Sequence, residues 1–277
     1  MKKSIFQWVI IAAAIAVVST LWYVDDIRQN YFVYDVPKVT KIDFFETHYL
    51  YWYIHIFSFI PVFCLSFDKR VHFYKKWKHL WKSTLIVGTI FLIWDAAKTS
   101  LGVWGFNPNY ITGVFVGNLP IEECFFFITI PYACIFIYEC LNYYFPKDIF
   151  LSFEKPLTYL LVFLFLGIGI YSWKITYSST TYFIAGFYLL WHVLYIDNPK
   201  IRSRFYLAYL VSWIPFVFVD GVLTGGYQNE PIILYNPEEF LGFRVTSLPF
   251  EDSIYLIPLL LGNITFFEQS RSALSRQ

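Results

Sequence analysis

The sequence predicts an all-α fold: a polytopic membrane helix bundle of about eight transmembrane helices, with two parallel three-helix repeats joined by a connecting helix. The first observation is composition. Of the 277 residues, 57% are hydrophobic and only 15% are charged, which is far more apolar than an average soluble domain. The second is that the apolar residues form runs long enough to span a bilayer as helices. The third is a motif that occurs twice.

The apolar runs place the predicted helices. The first covers residues 5–24, follows Lys2 and Lys3, and is interpreted as a membrane anchor or a signal peptide. A polar segment leads into seven further runs, and each predicts a transmembrane helix. They are residues 49–66, 82–99, 120–144, 156–173, 178–196, 204–222 and 249–267.

The repeated motif has a constant offset of 129 residues. Residues 107–123 read NPNYITGVFVGNLPIEE and residues 236–252 read NPEEFLGFRVTSLPFED, so both fit N-P-x4-G-x5-L-P-x-E-E/D without a gap. Seven of the seventeen positions are identical, whereas unrelated segments would match at about one. The chain therefore contains a duplicated unit.

The duplication predicts the domain organisation. An N-terminal segment (1–48) precedes repeat 1 (49–144), a connecting segment (145–177), repeat 2 (178–268) and a short tail (269–277). Three crossings leave the chain on the opposite side of the membrane from where it started. A second copy in the same orientation therefore needs one more crossing, which the connecting helix supplies. A pseudo-twofold axis along the membrane normal should relate the repeats, so that the motif loops face each other.

The distribution of Lys and Arg predicts the orientation. The loop after the second helix is rich in both and should be cytoplasmic. Alternating from there places 15 of the 21 basic residues and both termini inside, with the motif loops outside. We therefore expect a multi-pass protein of the inner (cytoplasmic) cell membrane.

Several classes of function are disfavoured. The net charge of +1, with no basic tract interleaved with aromatic residues, predicts no nucleic-acid partner. Neither GxGxxG before an acidic residue nor GxxxxGK before Ser or Thr occurs, and the four cysteines lack CxxC spacing. We expect no cofactor and no metal.

Each motif ends in two adjacent acids at the start of a helix: Glu122 and Glu123, then Glu251 and Asp252. The helix dipole favours a carboxylate in the first turn, which explains one acid per helix but not two. Adjacent side chains diverge by about 100° on a helix, so one of each pair can face the bundle. Carboxyls at the edge of an apolar cavity repel each other, and we expect at least one to hold a proton.

Two further acids, Asp95 and Asp220, occupy matching places in the helices before the motifs. Asp95 has Lys98 one turn later, so a local ion pair is one interpretation and a catalytic role is the other. Asp220 has no such neighbour. The candidate catalytic residues are Glu122, Glu123, Glu251, Asp252, Asp95 and Asp220.

Aromatic and amide side chains near the acids are candidate substrate contacts. Phe125 and Phe126 follow an acid pair after a single intervening residue, and each ring could stabilise a cation by about 0.5 to 2 kcal/mol. The motif asparagines also suit loop formation, because Asn-Pro shapes turns. The candidate substrate-binding residues are Phe125, Phe126, Trp104, Asn107, Asn236 and Tyr255.

The run WDAAKTSLGVWGFNPNYITGVFVGNLPIEECFFFITIPYACIFIYECL, with VDGVL and YNPEEFLGFRVTSLPFED later, resembles the integral-membrane lycopene cyclases. The resemblance covers about residues 50–267 and includes that family's P-x-E-E/D signature in both repeats. In that family, two homologous three-helix units occur as separate subunits or fused in one chain. The N-terminal extension departs from this pattern.

The resemblance implies an intramolecular lyase (isomerase) that closes the linear ends of lycopene to β-ionone rings, giving γ- and then β-carotene. Implied partners are lycopene and other carotenoids, membrane lipid, and other carotenoid enzymes. Our hypothesis is that Glu122 or Glu251 donates a proton to the terminal C1=C2 bond, while Glu123 or Asp252 stabilises the cation or removes the C6 proton. Either one shared site or two separate sites would fit.

Three other functions are compatible with the same residues. A carotenoid hydratase would let water trap the cation, and an ε-cyclase would release a different proton. A membrane transporter with parallel repeats would also use acids and prolines within helices. The gathering of the acids towards one face disfavours the transporter.

Overall fold

The computed structural model describes residues 36–274, so the predicted helix at residues 5–24 and the last three residues lie outside the described part. The described chain forms seven α-helices, which confirms the predicted all-α bundle. They are α1 (Leu50–Leu65), α2 (Trp77–Ser100), α3 (Ile121–Tyr144), α4 (Glu154–Tyr171), α5 (Thr176–Trp191), α6 (Pro199–Leu223) and α7 (Phe250–Leu274).

Five of these helices are long and apolar enough to cross a membrane: α2, α3, α4, α6 and α7. Helix α1 is a shorter apolar helix, and a π-helical turn, His192–Ile196, extends α5. Helix α6 begins at Pro199, five residues before the apolar run predicts, because hydropathy marks only the apolar part of a helix. Asn198 caps it by accepting a hydrogen bond from the Ile201 backbone N–H at 3.1 Å.

Helix packing repeats between the two halves. In the first half α1 and α2 both pack against α3, and in the second half α5 and α6 both pack against α7. Across the halves α2 packs against α7, and α3 packs against α6. Helix α4, the connecting helix, packs mainly on α5. Equivalent helices therefore make equivalent contacts.

The two motif loops have the same backbone conformation. Each forms a 3-10 turn after its asparagine and then a small hairpin of two two-residue strands. Gly113 and Gly242 have φ angles of +78° and +79°, a region that glycine adopts without strain. The hairpin strands are β2 (Phe115–Val116) with β3 (Leu119–Pro120) and β5 (Arg244–Val245) with β6 (Leu248–Pro249).

A short antiparallel sheet joins the two loops. Strand β1 (Trp104–Phe106) pairs with β4 (Ile233–Tyr235), and Gly105 lies opposite Leu234. Those two residues are 129 positions apart, so the pairing is centred on equivalent residues. An antiparallel pair centred in this way has a local twofold axis through its middle.

Reciprocal hydrogen bonds extend this symmetry. The Asn107 backbone N–H donates to the Ile232 carbonyl, and the Asn236 backbone N–H donates to the Val103 carbonyl, both at 2.8 Å. Their side-chain amides also cross between the loops, to the carbonyls of Pro231 and Gly102. Both asparagines therefore hold the loops together.

Candidate active site

A cavity of about 50 Å³, here called the acid cavity, lies where the two repeats meet. Helices α2, α3, α5, α6 and α7 and the β1–β4 sheet all contribute to its wall. Four carboxyls line it, and each of these residues is at most 5% exposed. They are Asp95, Glu123, Asp220 and Asp252.

The first pair of acids, here called dyad 1, consists of Asp95 on α2 and Glu123 on α3. Their carboxyls are in hydrogen-bonding contact. The Trp104 indole N–H donates to Asp95 Oδ1 at 2.7 Å, and the Tyr51 hydroxyl donates to Glu123 Oε2 at 2.6 Å. Each acid of dyad 1 thus accepts one hydrogen bond from a neutral aromatic group.

The second pair, dyad 2, consists of Asp220 on α6 and Asp252 on α7, again in hydrogen-bonding contact. Asp252 accepts from two phenols, Tyr177 at Oδ1 and Tyr235 at Oδ2, the latter at 3.0 Å. Asp220 Oδ2 is buried and receives no N–H or O–H from the part of the chain that the structure describes. The two acids of dyad 2 are therefore unequally supplied with donors.

Each dyad needs a proton. Two ionised carboxylates cannot hydrogen-bond to each other, because both are acceptors only. Like charges that share a buried site also repel strongly. A proton on one acid of each dyad would relieve this repulsion and let the two carboxyls hydrogen-bond to each other.

The chain matches the family described as Lycopene cyclase over residues 48–141 and 174–269, which is more than half of its length. The chain belongs to the lycopene cyclase family. Each matched segment contains one copy of the motif and one dyad, so each repeat supplies one pair of acids to the acid cavity. No curated protein and no solved structure is significantly similar to this cyclase.

Aromatic and aliphatic side chains form the rest of the wall in this lycopene cyclase. Phe126 and Tyr255, two predicted substrate contacts, both line the cavity. Tyr255 stands edge-on to Phe91, with ring centroids 4.9 Å apart. The other apolar lining residues are Phe127, Phe216, Leu223, Ile233, Leu256 and Leu259. A cation formed here would lie against aromatic rings.

The Tyr235 phenol, on strand β4, stays a hydrogen-bond donor. Burial, followed by the negative charge of the neighbouring Asp252–Asp220 pair, raises the pKa of this phenol well above its ordinary value. It therefore remains protonated around neutral pH. Arg244 in the second motif loop lies within electrostatic range of Asp220.

Glu122 and Glu251, the other acid of each motif, do not line the cavity. Each binds its own motif loop instead: Glu122 Oε1 accepts from the Thr112 backbone N–H at 2.8 Å, and Glu251 Oε1 accepts from the Leu241 backbone N–H at 3.0 Å. A hydroxyl also donates to each, from Thr112 and from Ser178, both at 2.6 Å. Both carboxylates are therefore in a position to anchor the loops.

Of the predicted residues not yet placed, Trp104 lines the cavity and the others do not. Phe125 is 39% exposed and packs against Trp52. Lys98 turns away from Asp95 and donates to the Thr176 carbonyl at 3.4 Å, so the local ion pair does not form. As described above, the motif asparagines hold the loops.

The phenols that bind the dyads were not singled out from the sequence. Tyr51 and Tyr177 are each the second residue of the first helix in their repeat, and they lie 126 positions apart. Extending the repeat alignment upstream of the motif, with a gap of three residues, would have found them. Tyr235 directly precedes the second motif.

Proposed function

We propose that this lycopene cyclase closes both linear ends of lycopene to β-ionone rings, giving γ-carotene and then β-carotene, by acid–base catalysis in the acid cavity. The observation that carries the proposal is the presence of two carboxyl dyads in one buried, largely apolar cavity. Ring closure leaves the atom count unchanged, so the enzyme class is an isomerase (intramolecular lyase).

In dyad 2, the hydrogen bonds favour one proton position. Asp252 accepts from two phenols, which stabilises its negative charge, while Asp220 Oδ2 lacks a donor among the described residues. We therefore assign the proton to Asp220 as general acid and the carboxylate to Asp252 as general base. The two roles belong to neighbouring groups with different environments.

The steps balance without an external reactant. Asp220 gives its proton to C2 of the terminal C1=C2 bond, and the resulting cation at C1 is attacked by the C5=C6 bond. The new C1–C6 bond leaves the positive charge on C5. Asp252 removes the C6 proton, which restores the C5=C6 bond. The proton then passes from Asp252 to Asp220 across their contact, and the dyad is ready again.

Dyad 1 is assigned a supporting role. Because Asp95 and Glu123 hold one proton between them, the pair carries one negative charge on the same cavity. That charge and the rings of Phe126, Phe216 and Tyr255 would stabilise the cation. The cavity has room for only a few water molecules, so these side chains must move outward to admit a polyene end.

Expression of the chain in a lycopene-accumulating bacterial host tests the function. The expected pigment is β-carotene, preceded by γ-carotene. Hydroxylated acyclic pigment would instead support a hydratase, and ε-rings would show that a proton other than that on C6 is lost. Unchanged lycopene, with the chain present in the membrane, would contradict the proposal.

Glu122 and Glu251 are proposed as loop anchors and not as proton donors. Gln keeps the acceptor oxygen for the loop N–H, whereas Leu removes it. We expect Glu122→Gln and Glu251→Gln to retain most ring formation and the corresponding Leu variants to lose it together with stability. Pigment per amount of membrane protein is the measurement. Loss of activity in a stable Glu122→Gln variant would return the donor role to this position.

The location of the protein is also proposed. We infer that the chain lies in the inner cell membrane with the motif loops outside, because the basic residues concentrate at the opposite end. Lycopene would enter from the lipid and could pass between neighbouring carotenoid enzymes within the membrane.

A further inference from the structure

A second cavity, of about 580 Å³ and here called the polar cavity, lies at the other end of the bundle from the dyads. It is bounded by the ends of α3 and α7 and by the starts of α2 and α6. Glu139 and Glu268 both line it and are 129 residues apart, the offset of the repeat. The polar cavity therefore also lies between the two repeats.

The polar cavity carries an excess of positive charge. Its charged lining residues are Lys76, Lys200, Arg204, Arg271, Glu139 and Glu268. Lys76 contacts Glu139, and Arg271 contacts both carboxylates, at 3.1 Å and 3.4 Å. Arg204 lies 3.7 Å from Asp148. These pairs balance, and within the described part of the chain Lys200 forms no ion pair.

The position of Lys200 adds to this potential. It is exposed in the first turn of α6, a helix of 25 residues. The dipole of a long helix and its first N–H groups attract anions at that end. An anion in the polar cavity would meet Lys200, the start of α6 and the half-exposed Arg271 together.

Exposed aromatic residues beside the cavity are of the kind that is typical of the membrane surface. Tyr143, Tyr144 and Phe145 at the end of α3 are each about half exposed, and tyrosine is enriched at the depth of lipid headgroups. Tyr143 lines the cavity itself. A ligand with an anionic head and apolar chains fits this arrangement, and about 580 Å³ lies within the range of small-molecule sites.

We propose that the polar cavity binds the phosphate ester headgroup of an anionic membrane lipid. Lys200 and Arg271 would contact the phosphate, and the acyl chains would lie against the aromatic residues at the end of α3. Basic pockets between transmembrane helices are suited to such headgroups.

For the test, the full chain is reconstituted in lipid nanodiscs that contain phosphatidylglycerol and phosphatidylcholine in equal amounts. Native mass spectrometry then counts the lipids that stay bound after transfer to detergent. We expect the wild type to retain phosphatidylglycerol in preference to phosphatidylcholine. Lys200→Gln should lower that retention about fivefold, and adding Arg271→Gln should lower it further.

Lys155→Gln is the matched control, because Lys155 is likewise exposed in the first turn of a helix at this end but does not line the cavity. It should retain phosphatidylglycerol like the wild type. Equal losses in the Lys155 and Lys200 variants, or no loss in the double variant, would overturn the proposal. Binding of millimolar glycerol phosphate by a wild type that retains no phosphatidylglycerol would also overturn it and would identify a soluble phosphate ester as the ligand.

Discussion

Asp220→Asn is expected to lower ring formation by about 10²- to 10⁴-fold, the usual contribution of a general acid. Asn has the shape of Asp and can donate a hydrogen bond to Asp252, but it cannot transfer a proton to carbon. The folded protein should therefore persist while the first step fails. The measurement is cyclic carotenoid formed from lycopene in liposomes, per amount of reconstituted protein.

Two control variants distinguish the loss of the proton donor from the loss of a carboxylate charge. Glu238→Gln removes an exposed carboxylate from the second motif loop and should leave the rate unchanged. Asp95→Asn should lower the rate less than Asp220→Asn, because dyad 1 is assigned to cation stabilisation. Equal and small effects of the Asp95 and Asp220 variants would contradict the assignment of the donor to dyad 2.

Arg202→Met is expected to destabilise the protein by about 3 to 5 kcal/mol, because it leaves a buried carboxylate without its partner. Arg202, at 1% exposure, makes a two-point contact with Glu154: Nε lies 2.6 Å from Oε2, and Nη2 lies 3.0 Å from Oε1. The pair ties α4 to α6, far from the dyads. The temperature at which the detergent-solubilised protein aggregates is the measurement.

Two further variants interpret that result. Lys155→Met removes an exposed charge beside Glu154 and should leave the aggregation temperature unchanged. The double variant Arg202→Met with Glu154→Leu should recover most of the loss, because both buried charges are gone. If the double variant is no more stable than Arg202→Met alone, the missing partner charge is not the cause.

Much of the fold followed from the sequence because its signals are strong. Long apolar runs leave few alternatives to helices in a membrane, and each described run is helical. The constant offset of 129 residues also predicted that the motif loops would be equivalent. Their direct backbone pairing through β1 and β4 was not predicted, since a three-residue strand has no distinctive periodicity.

The site was harder to predict. Divergence of adjacent helix residues indicates that Glu122 and Glu123 point apart, but it does not say which one faces the cavity. That depends on the rotation of α3, which packing against α1, α2 and α6 sets. The sequence does not distinguish the phenol donors Tyr51, Tyr177 and Tyr235 from the many aromatic residues that a membrane protein needs for packing alone.

The shared acid cavity has a consequence for turnover. Both dyads face one chamber, and a long polyene cannot place both of its ends in that chamber at once. After the first ring closes, the product with one ring must leave the cavity, turn around and enter again with its linear end. We therefore expect a distributive enzyme, in which the supply of fresh lycopene decides how much product leaves with a single ring.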